Sequence, residues 1–462
     1  MEHIDESFRD SIATVTEDGK RAWIYPKKPK GRYYNARTWV SVVFLIIFFA
    51  LPLIKINGHP FFLLNVVELK FVLFGIAFFP QDFYLFVLAM LTFVVFIALF
   101  TALFGRLWCG WTCPQTVFME MVFRKIEYLI EGDFMKQKAL NKRAWDAEKI
   151  RIKTTKHIVF FFIAFLISNT FLMYIIGFDE WEKIITDNPA DHIGGLFATV
   201  IFAGVFYGVY ARFREQVCIV VCPYGRLQGV MLDPNTVVIA YDYKRGEPRG
   251  KLSKDNNEHG DCIDCNQCAE ACPTGIDIRN GTQLECVNCT ACMDACDDIM
   301  DKIQKPRGLI RYTSENAIKN NAKFKINSRI IGYCIVLTIL FSTFVVLLAR
   351  RSNIETTILR SSGLLYQKPD EAHISNLYNI ALVNKTFGDM PIELKIVEPK
   401  GQIKWVGNGI THLKEQSVAQ STFFLILPKT EIKKTKTKVV FEIWSEGEKI
   451  DRYETSFLGP NN

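Results

Sequence analysis

The sequence has 462 residues, enough for two or three domains. Hydrophobic residues make up 49% beside 22% charged ones, and the mean hydropathy is +0.12, which rules out an ordinary soluble composition and requires apolar runs. A net charge of +7 in such a chain fits basic loops next to membrane segments and argues against a nucleic-acid partner.

The first 36 residues are polar and show no cleavable leader, so segment 1–36 is expected in the cytoplasm, ahead of an uncleaved anchor helix. Five apolar stretches then approach the roughly 20 residues that a spanning helix needs: 39–54, 83–104, 158–176, 193–210 and 330–348. A sixth, 61–79, is interrupted by Glu68 and Lys70. Those charges are costly in lipid, so it reads as an interfacial or re-entrant hairpin, with a sixth span as the alternative. Lys27, Lys28, Lys30, Arg32 and Arg37 precede the first stretch, and the loop from Arg106 to Lys156 is strongly basic, whereas 177–192 is acidic. This alternation predicts the N-terminus inside and the C-terminus outside. Arg350 and Arg351, after the fifth stretch, run against that rule.

Cys109 and Cys113 lie in RLWCGWTCPQ, and Cys218 and Cys222 lie in REQVCIVVCPYGR. Both pairs read C-x3-C-P at the end of an apolar stretch. A spacing of four places both sulfurs on one helical face, and the proline is expected to end that helix. Two matched pairs on neighbouring helices can form one four-thiolate site, and soft thiolates suit Cu(I). The bland alternative is that they are small packing residues. Cys334, alone in the fifth stretch, reads as a packed membrane cysteine. Glu120, Arg124 and Glu127 follow the first pair at helical spacing and read as an amphipathic interfacial helix with internal ion pairs. His59 and His192 read as ordinary interfacial residues on the outer face, with copper or quinone contacts as the alternative.

Residues 242–257 are polar and read as a linker. It leads to CIDCNQCAEACPTGIDIRNGTQLECVNCTACMDAC. Cys262, Cys265, Cys268 and Cys272 form C-x2-C-x2-C-x3-C, and Cys286, Cys289, Cys292 and Cys296 repeat it. This is the ligand pattern of a ferredoxin with two [4Fe-4S] clusters, in which the fourth cysteine of each run crosses to the other cluster. One cluster is therefore expected on Cys262, Cys265, Cys268 and Cys296, and the other on Cys286, Cys289, Cys292 and Cys272. Zinc also binds paired C-x2-C, but two full runs are far more specific. One departure is that Asp297, not proline, follows Cys296. Iron–sulfur cysteines imply a reducing compartment.

From about residue 353 the pattern changes to short alternating stretches such as IELKIVE and KVVFEIWSE, separated by turn residues. This predicts a small antiparallel β-sandwich outside the membrane, suited to docking. The sequon Asn384-Lys385-Thr386 carries no weight alone.

YPKKPKGRYYNAR, FGRLWCGWTCPQTVFMEMVFRKIEYLIEGD, the second C-x3-C-P, the paired cluster motifs and the β tail occur in that order. Over nearly the whole chain they resemble the bacterial cytochrome c oxidase accessory family of CcoG, FixG and Rdx proteins. The resemblance implies a polytopic α-helical inner-membrane protein with about five spans, a cytoplasmic 2[4Fe-4S] ferredoxin-like domain and a periplasmic immunoglobulin-like sandwich. The expected divisions are 1–36, a membrane domain at 37–240, the cluster domain at 241–312, a connector and fifth helix at 313–352 and the sandwich at 353–462. It further implies a cupric reductase that supports assembly of cbb3-type cytochrome c oxidase, with Cys109, Cys113, Cys218 and Cys222 as copper-handling or electron-exit thiols. The implied partners are oxidase assembly factors, copper chaperones or transporters and membrane lipid, and a homodimer is a further expectation. The alternatives are a quinol dehydrogenase resembling the NapH/NosR group and a non-redox assembly scaffold.

Overall fold

The computed structural model describes residues 13–16, 18–66, 70–251, 259–321, 327–361, 363, 365–432 and 434–460. Among them, five helices are long and apolar enough to cross a membrane: Arg32–Leu53, Pro80–Phe104, Ala147–Ile176, Ile193–Phe213 and Ser328–Ala349. Each contains one of the apolar stretches. Phe44, Phe86, Phe162, Phe197 and Phe341 on these helices are exposed. Lipid accommodates such side chains and water does not. The third helix starts well before its apolar part because Asp146 caps it, accepting from the Lys149 amide at 2.8 Å. Cys334 is exposed on the fifth helix and not packed inside the protein, a correction to its expected burial.

The chain divides into two compact units, Met1–Leu53 with Leu88–Ser342, and Ile54–Val87 with Thr343–Asn462. The second unit corrects the reading of 61–79. Phe62–Asn65, Lys70–Leu73 and Ile76–Phe78 form a three-stranded antiparallel sheet, not a sixth spanning helix. Leu63, Val72 and Ala77 form its buried face. Phe74 and Gly75 both take positive φ, which makes the two-residue turn between paired Leu73 and Ile76. Asn57-Gly58 does the same between Ile56 and His59. Glu68 lies outside the described residues, as do 252–258 of the expected linker.

The tail is a sandwich. Ile354–Arg360, His373–Asn384, Val418–Pro428 and Gln402–Val406 form one sheet, and Glu393–Glu398, Lys436–Ser445 and Glu448–Leu458 the other. Tyr378, Phe423, Phe441 and Phe457 fill the space between them. Asn376 stitches the sheets, donating to the Leu458 carbonyl and accepting from its amide, each at 2.9 Å. Asn384 of the sequon is buried, and its amide donates to the Gly388 and Lys414 carbonyls.

In the same unit, Asp82 is buried between two cations. Its carboxylate lies 2.7 Å from Arg351 Nη2 and 2.6 Å from Lys385 Nζ, and Lys385 reaches Glu355 at 2.7 Å. Arg351, one of the two arginines that break the charge rule, is thus paired. Removing one member of a buried ion pair costs about 3–5 kcal/mol, against about 1 kcal/mol or less for an exposed pair. Asp82→Ala should therefore lower the melting temperature in detergent markedly, while Lys438→Ala, which breaks an exposed pair with Glu454, should hardly move it.

Candidate iron–sulfur and thiol centres

The first unit carries every redox-type side chain of the sequence motifs. Val238–Tyr241 pairs with Ile310–Thr313 and closes the cluster segment into a module. Ile239, Ile278, Met293, Met300, Leu309 and Ile310 form its core.

Within each motif the backbone turns sharply around the second cysteine. Asp264 and Asn266 flank Cys265 with φ of 52° and 58°, and Asn288 and Thr290 flank Cys289 with φ of 52° and 66°. Left-handed residues on both sides fold the loop around a cavity. For β-branched Thr290 this conformation is strained by about 1–3 kcal/mol. Cys262, Cys265, Cys268 and Cys296 line one cavity with about 350 Å³ of atom-free space. Cys272, Cys286, Cys289 and Cys292 line a second of about 330 Å³, and Cys268 borders both. The fourth thiol of each set thus comes from the other run. Asp297 also has a reason: Cys296 sits inside the helix Ala291–Lys302, where proline would break the ladder. Its carboxylate accepts from the Gly308 amide at 2.9 Å.

Burial pushes the Cys268, Cys286 and Cys296 thiols up to about 12 and Cys289 to about 11, and holds Cys292 well above the ordinary thiol value. A bare thiolate is disfavoured in these apolar walls, and cluster iron would supply the missing positive charge. Asn288 adds a donor: its Nδ2 is buried without a partner, while its Oδ1 lies 3.6 Å from Cys286 Sγ. Four thiols around each cavity and a spare amide donor fit a [4Fe-4S] cluster.

The C-x3-C-P pairs depart from the expected continuous helical face. Cys109 lies in the short helix Leu107–Trp111, which ends at Thr112. Cys113 is extended, with ψ of 124°, because Pro114 follows it, and Pro114 opens a new helix instead of closing the old one. Cys218 lies in the π-helical turn Val217–Val221, and Cys222, with ψ of 110°, caps the helix Pro223–Met231. The break between the cysteines of each pair lets the two pairs face each other. Cys109 Sγ donates to Gln228 Oε1 at 3.3 Å, on the helix behind the second pair. Cys218 in turn bonds the Thr116 hydroxyl behind the first pair. Tyr224 and Gln228 reach Thr101 at 3.1 and 3.5 Å. All four thiols are free and partly buried. Burial, then the neighbouring thiols, pushes Cys109 and Cys218 up to about 12, and the positive charge of Arg106 partly offsets this at Cys109.

Sequence reasoning missed the residues that join the two centres. Gly105, at φ of 55°, ends the second membrane helix and turns the chain. Arg106 is buried there and donates to the Leu284 carbonyl, just before Cys286, and to the Gly225 carbonyl, just after Pro223. Gly110 lies so close to the second cluster loop that a Cβ would sit 2.5 Å from the Val287 oxygen and 2.6 Å from that of Asn288. Cys109 packs against the buried cluster of Ala271, Val287, Cys289 and Ala291. Arg37 Nη1 donates to the Cys289 carbonyl at 2.8 Å. Only the glycine inside C-G-W-T-C hinted at a close approach. His59 packs on Phe387 with ring centroids 4.4 Å apart, and His192 lies 3.3 Å from Asp187. Neither joins a thiol.

Glu120, Arg124 and Glu127 correct the interfacial reading. Glu120 and Arg124 do pair, at 2.9 Å, but Arg124 and Glu127 are each only 2% exposed. Arg124 also meets Glu215 at 3.6 Å, and Arg21 meets Glu215 at 3.0 Å. Glu127 pairs with Arg214 at 2.7 Å and Lys156 at 3.4 Å, and Lys156 and Lys153 each reach Glu131 at 2.8 Å. The partners lie far away in sequence, so the helix is locked inside and does not float at a lipid surface. Burial alone would raise the Glu127 carboxyl, but Arg214, Lys156 and Arg124 outweigh it and hold it at about 2, below its ordinary 4.5. A depressed carboxylate stabilises fully above its unfolded value, and that contribution fades as pH falls through the folded value. The melting temperature in detergent should therefore drop between about pH 4.5 and 2. Glu127→Gln should be less stable at neutral pH and flatten that drop.

Comparison with known proteins agrees with the geometry. Residues 213–315 match the 4Fe-4S dicluster domain, 86–136 match a 4Fe-4S binding domain, and 344–460 match the IG-like fold at the C-terminal of FixG. Protein RdxB of Cereibacter sphaeroides is 31% identical over 473 residues, covering 96% of this chain and 97% of RdxB. Protein RdxA of the same organism is 36% identical over 298 residues, 63% of this chain and 62% of RdxA. The nitrogen fixation protein FixG of Rhizobium meliloti is 35% identical over 311 residues, 64% of this chain and 58% of FixG. With these relatives, five apolar helices, 4Fe-4S domains and an immunoglobulin-like tail, the chain belongs to the FixG/Rdx family of membrane iron–sulfur proteins.

Proposed function

We propose that this chain is an electron-transfer protein of the bacterial inner membrane that reduces Cu(II) to Cu(I) for assembly of cbb3-type cytochrome c oxidase. The observation that carries the reading is the junction: Cys109 packs against the buried cluster of Ala271, Val287, Cys289 and Ala291, and buried Arg106 bridges the Leu284 loop and the helix that opens at Pro223. In this reading Cys262, Cys265, Cys268 and Cys296 hold one [4Fe-4S] cluster, and Cys272, Cys286, Cys289 and Cys292 the other. Clusters of this kind exchange single electrons at low potential. Cys268, bordering both cavities, keeps the two close, and Cys109 continues the path to the four-thiol centre. Each Cu(II) ion takes one electron there to become Cu(I), and the electron is replaced by a cytoplasmic donor or a quinol. The basic loops support a reading in which the clusters face the cytoplasm and the sandwich lies in the periplasm, where it would dock assembly factors or copper carriers.

The test uses anaerobically purified, reduced protein mixed with Cu(II) and a Cu(I)-specific chelator. Wild type should generate Cu(I), and replacing Cys109, Cys113, Cys218 and Cys222 by Ala should slow it by about tenfold or more, roughly 1.4 kcal/mol in barrier. No Cu(I) above a protein-free control would overturn the reading.

One observation favours the quinol dehydrogenase alternative. An open groove at the third and fourth membrane helices is lined by Trp145, Lys153, His157, Phe161 and Tyr207, with His157 Nδ1 and Tyr207 Oη 2.8 Å apart. One turn along, Tyr210 lies within electrostatic range of Cys113 and Cys218. A polar pair in an apolar, lipid-facing groove suits a quinol headgroup. Cluster reduction by a short-chain quinol, lost in His157→Ala and without copper turnover, would support this reading instead.

A further inference from the structure

The ferredoxin-type cavities account for eight of the chain's 13 cysteines, and Cys334 stands apart on a membrane helix. Four remain. The 4Fe-4S binding domain match at 86–136 contains only two cysteines, Cys109 and Cys113. The dicluster match at 213–315 contains ten, two more than two clusters use, and the extra two are Cys218 and Cys222. Each match is incomplete or overfull alone, and the surplus of one completes the other.

The local sequence and geometry agree. CGWTCP and CIVVCP share their C-x3-C-P spacing with CAEACP, the segment holding Cys268 and Cys272. The pairs are knitted together reciprocally, Cys109 to Gln228 behind the second pair and Cys218 to Thr116 behind the first. Each pair lies within electrostatic reach of the other: Cys109 feels Cys113 and Cys222, and Cys218 feels Cys113, Cys109 and Cys222. Gln115, two residues after Cys113, has a buried amide donor, Nε2, with no partner. A cluster sulfur accepts such a donor. Gly225 allows the close fit, since a Cβ there would lie 2.8 Å from the Cys218 oxygen.

We propose that Cys109, Cys113, Cys218 and Cys222 together hold a third four-iron cluster, seated against the second ferredoxin-type site. Copper then meets this centre as an electron acceptor and does not occupy its thiols. The proposal rests on the electron-transfer part of the function above and is independent of copper as the acceptor.

The experiment is a count of iron and acid-labile sulfide on full-length protein purified and reconstituted without oxygen, with Mössbauer spectra. Wild type should carry roughly twelve irons per chain, all in four-iron clusters. Replacing the four cysteines by Ser should leave roughly eight, with about one third of the Mössbauer area gone, while Cys334→Ser should keep all twelve. Saturation of the wild type at roughly eight irons overturns the proposal, as does one copper bound per chain at these thiols with iron at that level. The wild-type count decides even if the variant folds poorly. A full count without Cu(I) production would refute the copper reading alone, and a low count with Cu(I) production would refute this proposal alone.

Discussion

A single buried guanidinium holds the redox half of the molecule together. Arg106 stands where the second membrane helix ends and bonds one carbonyl from the cluster segment and one from the second C-x3-C-P loop. A buried cation is costly unless paired or fully bonded. Here its two terminal nitrogens donate to backbone carbonyls while Nε stays buried without a partner, and its charge falls on thiols of both centres, Cys109 and Cys286. The cost of burying it is therefore offset only when both loops are in place, which makes the junction all-or-none. Gly110 imposes the matching steric condition, because any side chain there would push the helix off Val287 and Asn288.

The charge network around Glu127 frames this junction from the other side. Arg124, Glu215, Arg214, Lys156 and Glu131 form a buried lattice that fixes the helices carrying Cys113 and Cys218. Arg214 reaches it with φ of 52°, a conformation that costs about 1–3 kcal/mol and persists only when its surroundings over-determine it. The π-helical turn Val117–Phe123 follows Cys113, and the turns Val209–Phe213 and Val217–Val221 lie on either side of Arg214. Such turns shift side-chain register locally, and here they accompany the facing of two thiol pairs.

The parts legible in the sequence are those whose physics is local. Cysteine spacing indicated two clusters, five apolar runs became five helices, and period-two alternation became the sandwich. Residues 61–79 misled because apolar content fits lipid and β-structure equally. Asn57-Gly58, a strong two-residue turn signal, was there to separate them. Arg106 looked like one more basic loop residue, since nothing local reveals that Leu284 and Gly225 will accept from it. Glu127 looked interfacial for the same reason: Arg214 and Lys156 are distant in the chain. Tertiary partners, not motif residues, were the hidden part.

The most direct measurement of this account is an EPR-monitored redox titration of Arg106→Met beside wild type. Removing a buried positive charge next to one cluster destabilises its reduced, more negative state. The midpoint potential of the cluster at Cys272, Cys286, Cys289 and Cys292 should fall, while that at Cys262, Cys265, Cys268 and Cys296 stays in place. Unchanged potentials, or two that shift together, would contradict the claim that this arginine couples the ferredoxin module to the membrane thiols.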